Sequence, residues 1–261
     1  MAGFAGKKYM IQEEEIERLV AKSQTSRINV YREYCQHLFL SYLYRQKEAG
    51  NTLFFKGGTA LKLIYGSPRF SEDLDFSSPE GSVGKIENII ENTLTEIEHE
   101  AIKIDITESK KTIGGYLAIV NFDFAGRKVP LKIEVSFREK KAKGEITSIT
   151  SEFTIPYTVV MFSKKDLVGQ KIQALLTRAK PRDFYDLYFL IRAGLLGKEE
   201  KDSLGKIFAL VQKTDISFKK ELQQFLPKSH WLLIKDFKNA LIRELERFIP
   251  LRETPRARAR G

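Results

Sequence analysis

The stretch from Phe55 to Ser78 reads FKGGTALKLIYGSPRFSEDLDFSS, and it holds the two features that decide the fold. It opens with a glycine pair between an apolar run and residues with helical spacing, and it closes with two aspartates one residue apart. A glycine turn of this kind can bind phosphate, and an acid pair can bind a divalent cation. Because the connector is short, we expect the two features to lie close together.

The glycine turn is predicted to join a buried strand to a helix. Apolar residues 53–55 precede it, and the apolar residues from Ala60 onward repeat with helical spacing. Gly57 and Gly58 let the backbone turn sharply and approach a ligand, and Thr59 is a candidate N-cap residue. The open helix N-terminus would offer N–H groups to the phosphates of a nucleotide. An ordinary strand-turn-helix junction is the alternative, since glycine pairs are common in turns.

The acid pair alternates with apolar residues, as Asp73-Leu74-Asp75-Phe76. In a strand, both carboxylates leave the same face while Leu74 and Phe76 enter the core. Two adjacent carboxylates repel each other unless a hard cation such as Mg²⁺ or Mn²⁺ lies between them. The pattern therefore predicts a metal site at Asp73 and Asp75, with a solvated strand end as the alternative.

Further strands are predicted downstream of the acid pair, over residues 102–107, 116–124, 129–137 and 153–160. In the third of these, alternate apolar side chains face one way, so Glu134 faces the other way. Glu134 is thus a candidate third carboxylate. Asp105 and Asp123, on the two preceding strands, remain alternatives.

Helices are predicted over residues 11–22, 27–48 and 86–101, from 163, from 181, and in three parts between 198 and 249. Gly50 is expected to end the second helix, and Pro181 is expected to be the first residue of a later helix. Ser163 and Asp166 resemble a capping box. The helical spacing continues to the end of the chain except in its last residues, which are rich in arginine.

Composition narrows the class of protein. The chain has 261 residues, of which 42% are hydrophobic and 30% charged, and it carries a net charge of +10. We expect a cytoplasmic protein, because no apolar run is long enough to span a bilayer and no signal peptide is evident. Cys35 is the single cysteine, which excludes an internal disulfide. The basic balance favours nucleic acid as a partner, although a basic housekeeping enzyme could have the same charge.

Two stretches together resemble the signatures of a known family. They are KGGTALKLIYGSPRFSEDLDF, from Lys56, and KIQALLTRAKPRDFYDLYFL, from Lys171. Both resemble the AbiEii/AbiGii toxin family, the MenA-type nucleotidyltransferase-like toxins of the DNA polymerase β nucleotidyltransferase superfamily. The resemblance implies an α+β fold in which a polymerase-β-like core, a mixed sheet flanked by helices, is followed by a helical C-terminal part. We expect a core domain over 1–162, a helical domain over 163–250 and a disordered basic tail over 251–261.

The second signature adds residues that periodicity alone would leave on a helix surface. The resemblance implies that Lys171 contacts a nucleotide triphosphate and that Asp186 is required for function. Asp183 is the less favoured acid, since it could simply stabilise the start of its helix. Arg182 is expected to contact phosphate or to form a structural ion pair.

The resemblance also implies a reaction. The triphosphate of an NTP would bind along the glycine turn, and its NMP would pass to the 3′ hydroxyl of tRNA, which blocks translation. A cognate antitoxin would restrain this toxin of a toxin-antitoxin, or abortive infection, system. Transfer to a protein or small-molecule hydroxyl is one alternative, and an inactive nucleic-acid-binding protein is another.

The residues expected to carry out this reaction form three groups. The catalytic residues are Asp73, Asp75, Lys171 and Asp186. The nucleotide-binding residues are Lys56, Gly57, Gly58, Thr59, Arg69, Ser71, Lys171 and Arg182. The metal ligands are Asp73, Asp75 and Glu134.

Overall fold

The computed structural model describes residues 11–248, and a seven-stranded mixed sheet forms its first half. The strands are β1 (Phe54–Lys56), β2 (Asp73–Ser77), β3 (Lys103–Thr112), β4 (Gly115–Phe124), β5 (Arg127–Ser136), β6 (Gly144–Ile149) and β7 (Tyr157–Phe162). Their order across the sheet is β3-β4-β5-β2-β1-β7-β6. The pairs β2–β5 and β1–β7 are parallel and the other neighbours are antiparallel. The expected mixed sheet is confirmed.

Helices occupy the N-terminal region and the second half of the described chain. They are α1 (Glu13–Ser23), α2 (Arg27–Leu43), α3 (Lys47–Thr52), α4 (Gly57–Tyr65), α5 (Val83–Glu98), α6 (Lys164–Arg178), α7 (Pro181–Arg192), α8 (Lys198–Asp202), α9 (Leu204–Lys213), α10 (Phe218–Leu222), α11 (Trp231–Lys235) and α12 (Phe237–Glu246). The α+β class is therefore also confirmed. No helix within residues 11–248 is long and apolar enough to cross a membrane.

Contacts divide the chain into two compact units. Within the described residues, the first comprises 11–167 and Phe225–Ser229, and the second comprises Val168–Gln224 and 230–248. The boundary falls within α6, a few residues beyond the one expected from sequence. The expected basic tail, 251–261, lies outside the described residues.

The core of the first unit lies between the apolar face of the sheet and helices α2 and α5. Leu74 and Phe76 of β2 are buried there, as are Ile133 and Val135 of β5. Cys35, in α2, is buried in the same core, as expected for a small apolar residue. Because side chains alternate across a strand, the residues between these apolar positions face the opposite side of the sheet.

The second unit has an aromatic core of its own. Rings from α7, α10 and α12 meet edge to face or stacked, with centroids 5.0 to 5.8 Å apart for the pairs Phe184–Phe218, Tyr185–Phe237 and Phe218–Phe237. Such pairs contribute about 1 kcal/mol each beyond their buried area. Pro181 opens α7, as the sequence predicts.

Several local expectations need correction. Helix α2 ends at Leu43, and Gly50 lies inside the short helix α3 instead of ending α2. Strand β6 was not predicted, because its sequence GEITSI has little apolar alternation. In the structure, one of its two isoleucines is strongly exposed. Half of the expected capping box at α6 is present: the Asp166 N–H donates to Ser163 Oγ at 3.2 Å. The Asp166 carboxylate accepts from the Ser163 hydroxyl at 2.6 Å, while the backbone N–H of Ser163 donates to the carbonyl of Lys143 at 3.0 Å.

Candidate active site

The glycine turn and the acid pair are in direct contact. Helix α4 begins at Gly57, immediately after β1, and Gly57 has a φ of +85°. A Cβ atom at this position would lie 1.9 Å from Asp75 Oδ2, closer than any real contact allows. The Asp75 carboxylate therefore rests against the backbone of the turn, and only glycine fits between them.

The second glycine makes room for two other candidate residues. A Cβ atom at Gly58 would lie 2.7 Å from Arg69 Nη2 and 2.8 Å from Ser71 Oγ. Arg69 is buried, and its guanidinium donates to the carbonyl of Phe70 at 3.2 Å. The connector between α4 and β2 thus folds back onto the glycine turn, so that residues distant in sequence border the start of α4.

Helix α2 fixes this connector from the other side. The Gln36 side chain donates to the carbonyl of Ser71 at 2.8 Å, and Arg32 forms an ion pair with Glu72 at 2.5 Å. The connector is therefore held to α2 at Ser71 and at Glu72. Its conformation depends on α2 as well as on its own sequence.

Thr59 has a different role from the one expected. The residue at the N-cap of α4 is Lys56, which makes no side-chain capping bond, so the prediction of Thr59 as the N-cap is wrong. Thr59 lies within the first turn and is buried, and its hydroxyl donates to the carbonyl of Asp73 at 2.5 Å. This bond ties the first turn of α4 to the start of β2.

The strand register aligns charged side chains in rows across the sheet. Asp75 pairs with Lys56 of β1 on one side and with Glu134 of β5 on the other, and Asp73 pairs with Lys132. Paired residues project from the same face, opposite the core. Asp73, Lys132 and Glu134 have exposed side-chain fractions of 38%, 38% and 46%, so solvent ions can reach this face.

Lys132 lies among these acids, and the sequence analysis did not single it out. Its ammonium group contacts the Glu134 carboxylate and lies 3.9 Å from Asp73 Oδ2. The hydrogen bond with Glu134, opposed by some desolvation and helped by the charges of Asp73 and Asp75, raises the pKa of Lys132. Within the described residues, no three acidic, histidine or cysteine side chains converge as a ready-made metal site.

The two alternatives to Glu134 lie on strands that do not adjoin β2. Asp105 is on β3, at the edge of the sheet, and Asp123 is on β4. The Asp123 carboxylate accepts a hydrogen bond of 2.6 Å from the backbone N–H of Gly126 in the β4–β5 turn. Of the three acids, only Glu134 is paired with the aspartate strand.

Lys56 is held by a carboxylate that the sequence analysis missed. Its ammonium group donates to Glu139 Oε1 at 2.8 Å, and the Ser77 hydroxyl donates to Glu139 Oε2 at 3.0 Å. Burial alone would raise the pKa of Glu139, but hydrogen bonds from Lys56 and Ser136 and the charge of Lys56 outweigh it and lower the pKa to about 2. Glu139 follows β5 in an irregular segment, so no periodicity could have indicated this contact.

In the second unit, Lys171 and Asp186 form a buried ion pair. Lys171 Nζ lies 2.7 Å from Asp186 Oδ2, and the exposed fractions of the two side chains are 11% and 1%. One residue comes from α6 and the other from α7, so the pair also joins two helices. The second signature thus brings its two favoured residues together.

The other two residues of the second signature have separate partners. Asp183 accepts two hydrogen bonds from the Arg178 guanidinium, at 2.6 and 2.8 Å, and one from the backbone N–H of Lys180 at 3.1 Å. It therefore stabilises the start of α7. Arg182 Nε lies 3.9 Å from Glu221 Oε1, a loose ion pair within the same unit.

The first-unit residues fit a divalent cation and a phosphate group. Mg²⁺ is usually bound by one or two carboxylates together with substrate phosphates, so a three-carboxylate cage is not required. Asp73 and Asp75 provide two carboxylates on one accessible face. The Asp75 carboxylate touches the N-terminus of α4, and the N–H groups of a helix N-terminus suit phosphate oxygens.

Comparisons with solved structures agree with this fold. The chain is similar to JHP933 from Helicobacter pylori, with a TM-score of 0.64 and 20% identity over 86% of this chain and 93% of that one. It is also similar to MenT4, a nucleotidyltransferase toxin from Mycobacterium tuberculosis, with a TM-score of 0.62 and 16% identity over 92% and 90% of the two chains. No curated protein sequence matches the chain.

The family model described as nucleotidyl transferase AbiEii toxin, type IV toxin-antitoxin system, matches residues 41–257. This span covers most of the chain and contains both signatures, so the resemblance in the sequence is confirmed. Members of such nucleotidyltransferase families generally use an NTP and a divalent metal, and a type IV system implies an antitoxin partner. The chain belongs to the AbiEii family of nucleotidyltransferase toxins.

Proposed function

We propose that this protein transfers NMP from an NTP to the 3′ hydroxyl of tRNA, with release of pyrophosphate, and thereby blocks translation. The observation that carries the proposal is the contact between the Asp75 carboxylate and Gly57 at the start of α4. It puts a candidate metal ligand beside a candidate phosphate site, which is the juxtaposition that phosphoryl transfer needs.

Each group at the first-unit site has a physical role in this proposal. The N–H groups at the start of α4 bind phosphate oxygens, and the lack of side chains at Gly57 and Gly58 lets Asp75, Arg69 and Ser71 lie next to these groups. Arg69 and Ser71, which border Gly58, orient the phosphates. Asp73 and Asp75 hold the divalent cation, with Glu134 as a third ligand. When bound, the cation neutralises charge that develops on the transferred phosphoryl group.

Lys56 and Thr59 belong to the same proposed nucleotide site. Lys56 brings a positive charge next to the turn, and its bond to Glu139 holds that charge in place. Thr59 acts through the backbone, because its hydroxyl is bonded to the Asp73 carbonyl.

The second signature adds Lys171, Asp186 and Arg182 to the proposal. We infer that Lys171 counters the charge of the triphosphate and that Asp186 is needed to hold Lys171 in position. Their hydrogen bond of 2.7 Å supports this division of roles. We assign a phosphate-binding role to Arg182, because its ion pair with Glu221 is long and holds the guanidinium only loosely.

Transfer RNA is proposed as the acceptor on two grounds. The net charge of +10 attracts polyanions and contributes affinity that does not depend on sequence. The family includes toxins, and tRNA that cannot be charged would stop protein synthesis. A cognate antitoxin is the expected partner in the cell, and the proposal places the reaction in the cytoplasm.

The test is to incubate the purified protein with total tRNA, Mg²⁺ or Mn²⁺, and each labelled NTP in turn. We expect label on the tRNA with the intact protein and none with Asp75→Asn. Asp202→Asn makes the same chemical change on the exposed helix α8 and should keep full activity. Label on a protein or small-molecule hydroxyl would replace tRNA as acceptor, and no turnover with any acceptor would favour an inactive nucleic-acid-binding protein.

A further inference from the structure

Lys132 lies in the middle of the acidic face of the first unit. Its neighbours along β5, Leu131 and Ile133, are buried in the core, so the strand cannot rotate to move Lys132 to the other face. Its partner across the parallel pair is Asp73. The register of the sheet therefore places Lys132 directly beside Asp73, on the face that carries the candidate metal ligands.

The ammonium group of Lys132 already neutralises part of the negative charge there. It contacts the Glu134 carboxylate and lies 3.9 Å from Asp73 Oδ2. Acidic groups crowded on one face repel one another, and a nearby cation lowers that repulsion. The Lys132 ammonium group therefore lies at the same carboxylates that a metal ion would use.

A divalent cation at the same carboxylates would meet this ammonium group at short range. Like charges a few ångströms apart repel by about 1 kcal/mol even in bulk water, and by more near a protein surface. The lysine side chain has a flexible four-carbon stem and is 38% exposed, so it can turn toward solvent without any change in the backbone. Lys132 and the cation thus exclude each other from Glu134 and Asp73.

We propose that Lys132 is an internal competitor of the divalent cation: it binds Glu134 and Asp73 while the site lacks metal, and it leaves them when the metal enters. The inference rests on the metal site proposed above. Its consequence is that Lys132 sets the metal concentration at which the site fills, and that Glu134 becomes a ligand only after this ion pair opens.

The experiment measures Mn²⁺ binding directly, through the electron paramagnetic resonance signal of free Mn²⁺, so it does not depend on finding the acceptor. The full-length protein is compared with Lys132→Met, which keeps the length of the side chain and removes its charge. We expect Lys132→Met to bind Mn²⁺ at least about fivefold more tightly. Lys132→Arg retains a competing charge and should stay within about twofold of the original protein.

Lys128→Met is the matched control for charge alone. Lys128 is on the same strand, exposed, and paired with Asp123 on β4 instead of with the aspartate strand. Its replacement should leave Mn²⁺ affinity unchanged. Equal gains from Lys128→Met and Lys132→Met, or no gain from Lys132→Met, would overturn the inference.

Asp75→Asn separates this inference from the proposed metal site. If Asp75→Asn abolishes Mn²⁺ binding while Lys132→Met leaves the affinity unchanged, the metal site stands and the competition by Lys132 is wrong. If Asp75→Asn binds Mn²⁺ as the original protein does, the metal site itself is wrong and the inference fails with it. Circular dichroism of each variant confirms that it is folded.

Discussion

Asp73 and Asp75 in the first unit and Asp186 in the second are all candidate site residues, but their surroundings differ. Asp73 is 38% exposed and shares an open sheet face with Lys132 and Glu134. Asp186 is 1% exposed and is bonded to Lys171 at 2.7 Å. An exposed carboxylate can exchange one cation for another at little cost. A buried one depends on the partner that the fold supplies.

This difference separates two kinds of candidate site residue. The strand acids can be altered with little effect on folding, so changes there should act on binding and chemistry. Asp186 joins α6 to α7 through its ion pair, so its loss should weaken the second unit as well as any activity. The predictions below are ordered by their expected effect on the free energy of unfolding.

Asp186→Ala should have the largest effect. It leaves the Lys171 ammonium group buried without its carboxylate, which typically costs about 3 to 5 kcal/mol. Urea unfolding measures the loss. Replacing both partners, as Lys171→Met with Asp186→Leu, should recover much of it, because the buried charge is then gone. A single replacement that costs less than about 1 kcal/mol would show that the pair is not a buried structural contact.

The Glu139 contact should make stability depend on pH in the acid range. The pKa of Glu139 is lowered from 4.5 to about 2, so its contribution is complete above pH 4.5 and is lost as the pH falls toward 2. With its side chain 23% exposed, we expect a loss of about 2 kcal/mol, measured by urea unfolding at a series of pH values.

Glu139→Gln should remove this part of the pH dependence. Glu98→Gln is the control: it makes the same substitution on the exposed side of α5, without a bonded lysine. It should leave the pH dependence of the free energy of unfolding unchanged. Identical profiles for the original protein and Glu139→Gln would mean that the bond to Lys56 does not stabilise the fold.

Gly57→Ala should cost about 2 kcal/mol, because it combines a positive φ with a collision against the Asp75 carboxylate. Nucleotidyl transfer should be lost at the same time, since the turn can no longer hold both phosphate and carboxylate. Gly84→Ala is the control: it lies in α5 with open space around the added methyl group, and it should be neutral or slightly stabilising. Thermal unfolding and label transfer are measured on both variants.

Asp75→Asn should have the smallest effect on folding and a large one on function. Asparagine keeps the shape of the side chain against Gly57 and relieves repulsion among the neighbouring carboxylates, so we expect a change within about 1 kcal/mol. Label transfer should fall by at least ~100-fold. If Asp75→Asn lost stability and activity to the same extent, the contrast between the strand acids and Asp186 would be wrong.

The sequence was most informative where function depends on residues close together in the chain. The glycine turn, the acid pair and the alternation in β2 are local patterns, and the sheet register agrees with all three. The family signatures supplied the fold. The proximity of Asp75 to Gly57 follows from the antiparallel pairing of β1 with β2, which a short connector favours.

Contacts between distant segments could not be predicted in the same way. Lys132 and Glu139 meet the site through the pairing of β5 with β2, and nothing local to either residue indicates that partner. Thr59 looked like a helix cap because threonine is common there, but a buried hydroxyl needs an acceptor, and the nearest strand provided one. The end of α2 was placed too late because a glycine suggested a stop that the chain does not use.

The bond from Thr59 to the Asp73 carbonyl has a mechanical consequence. Because this bond joins the first turn of α4 to the backbone of Asp73, a ligand that shifted the turn would also move that backbone. If the proposed phosphate and cation sites are both filled, this hydroxyl group would transmit a shift at one of them to the other. Valine, which has nearly the same shape, would leave the helix in place and cut this link.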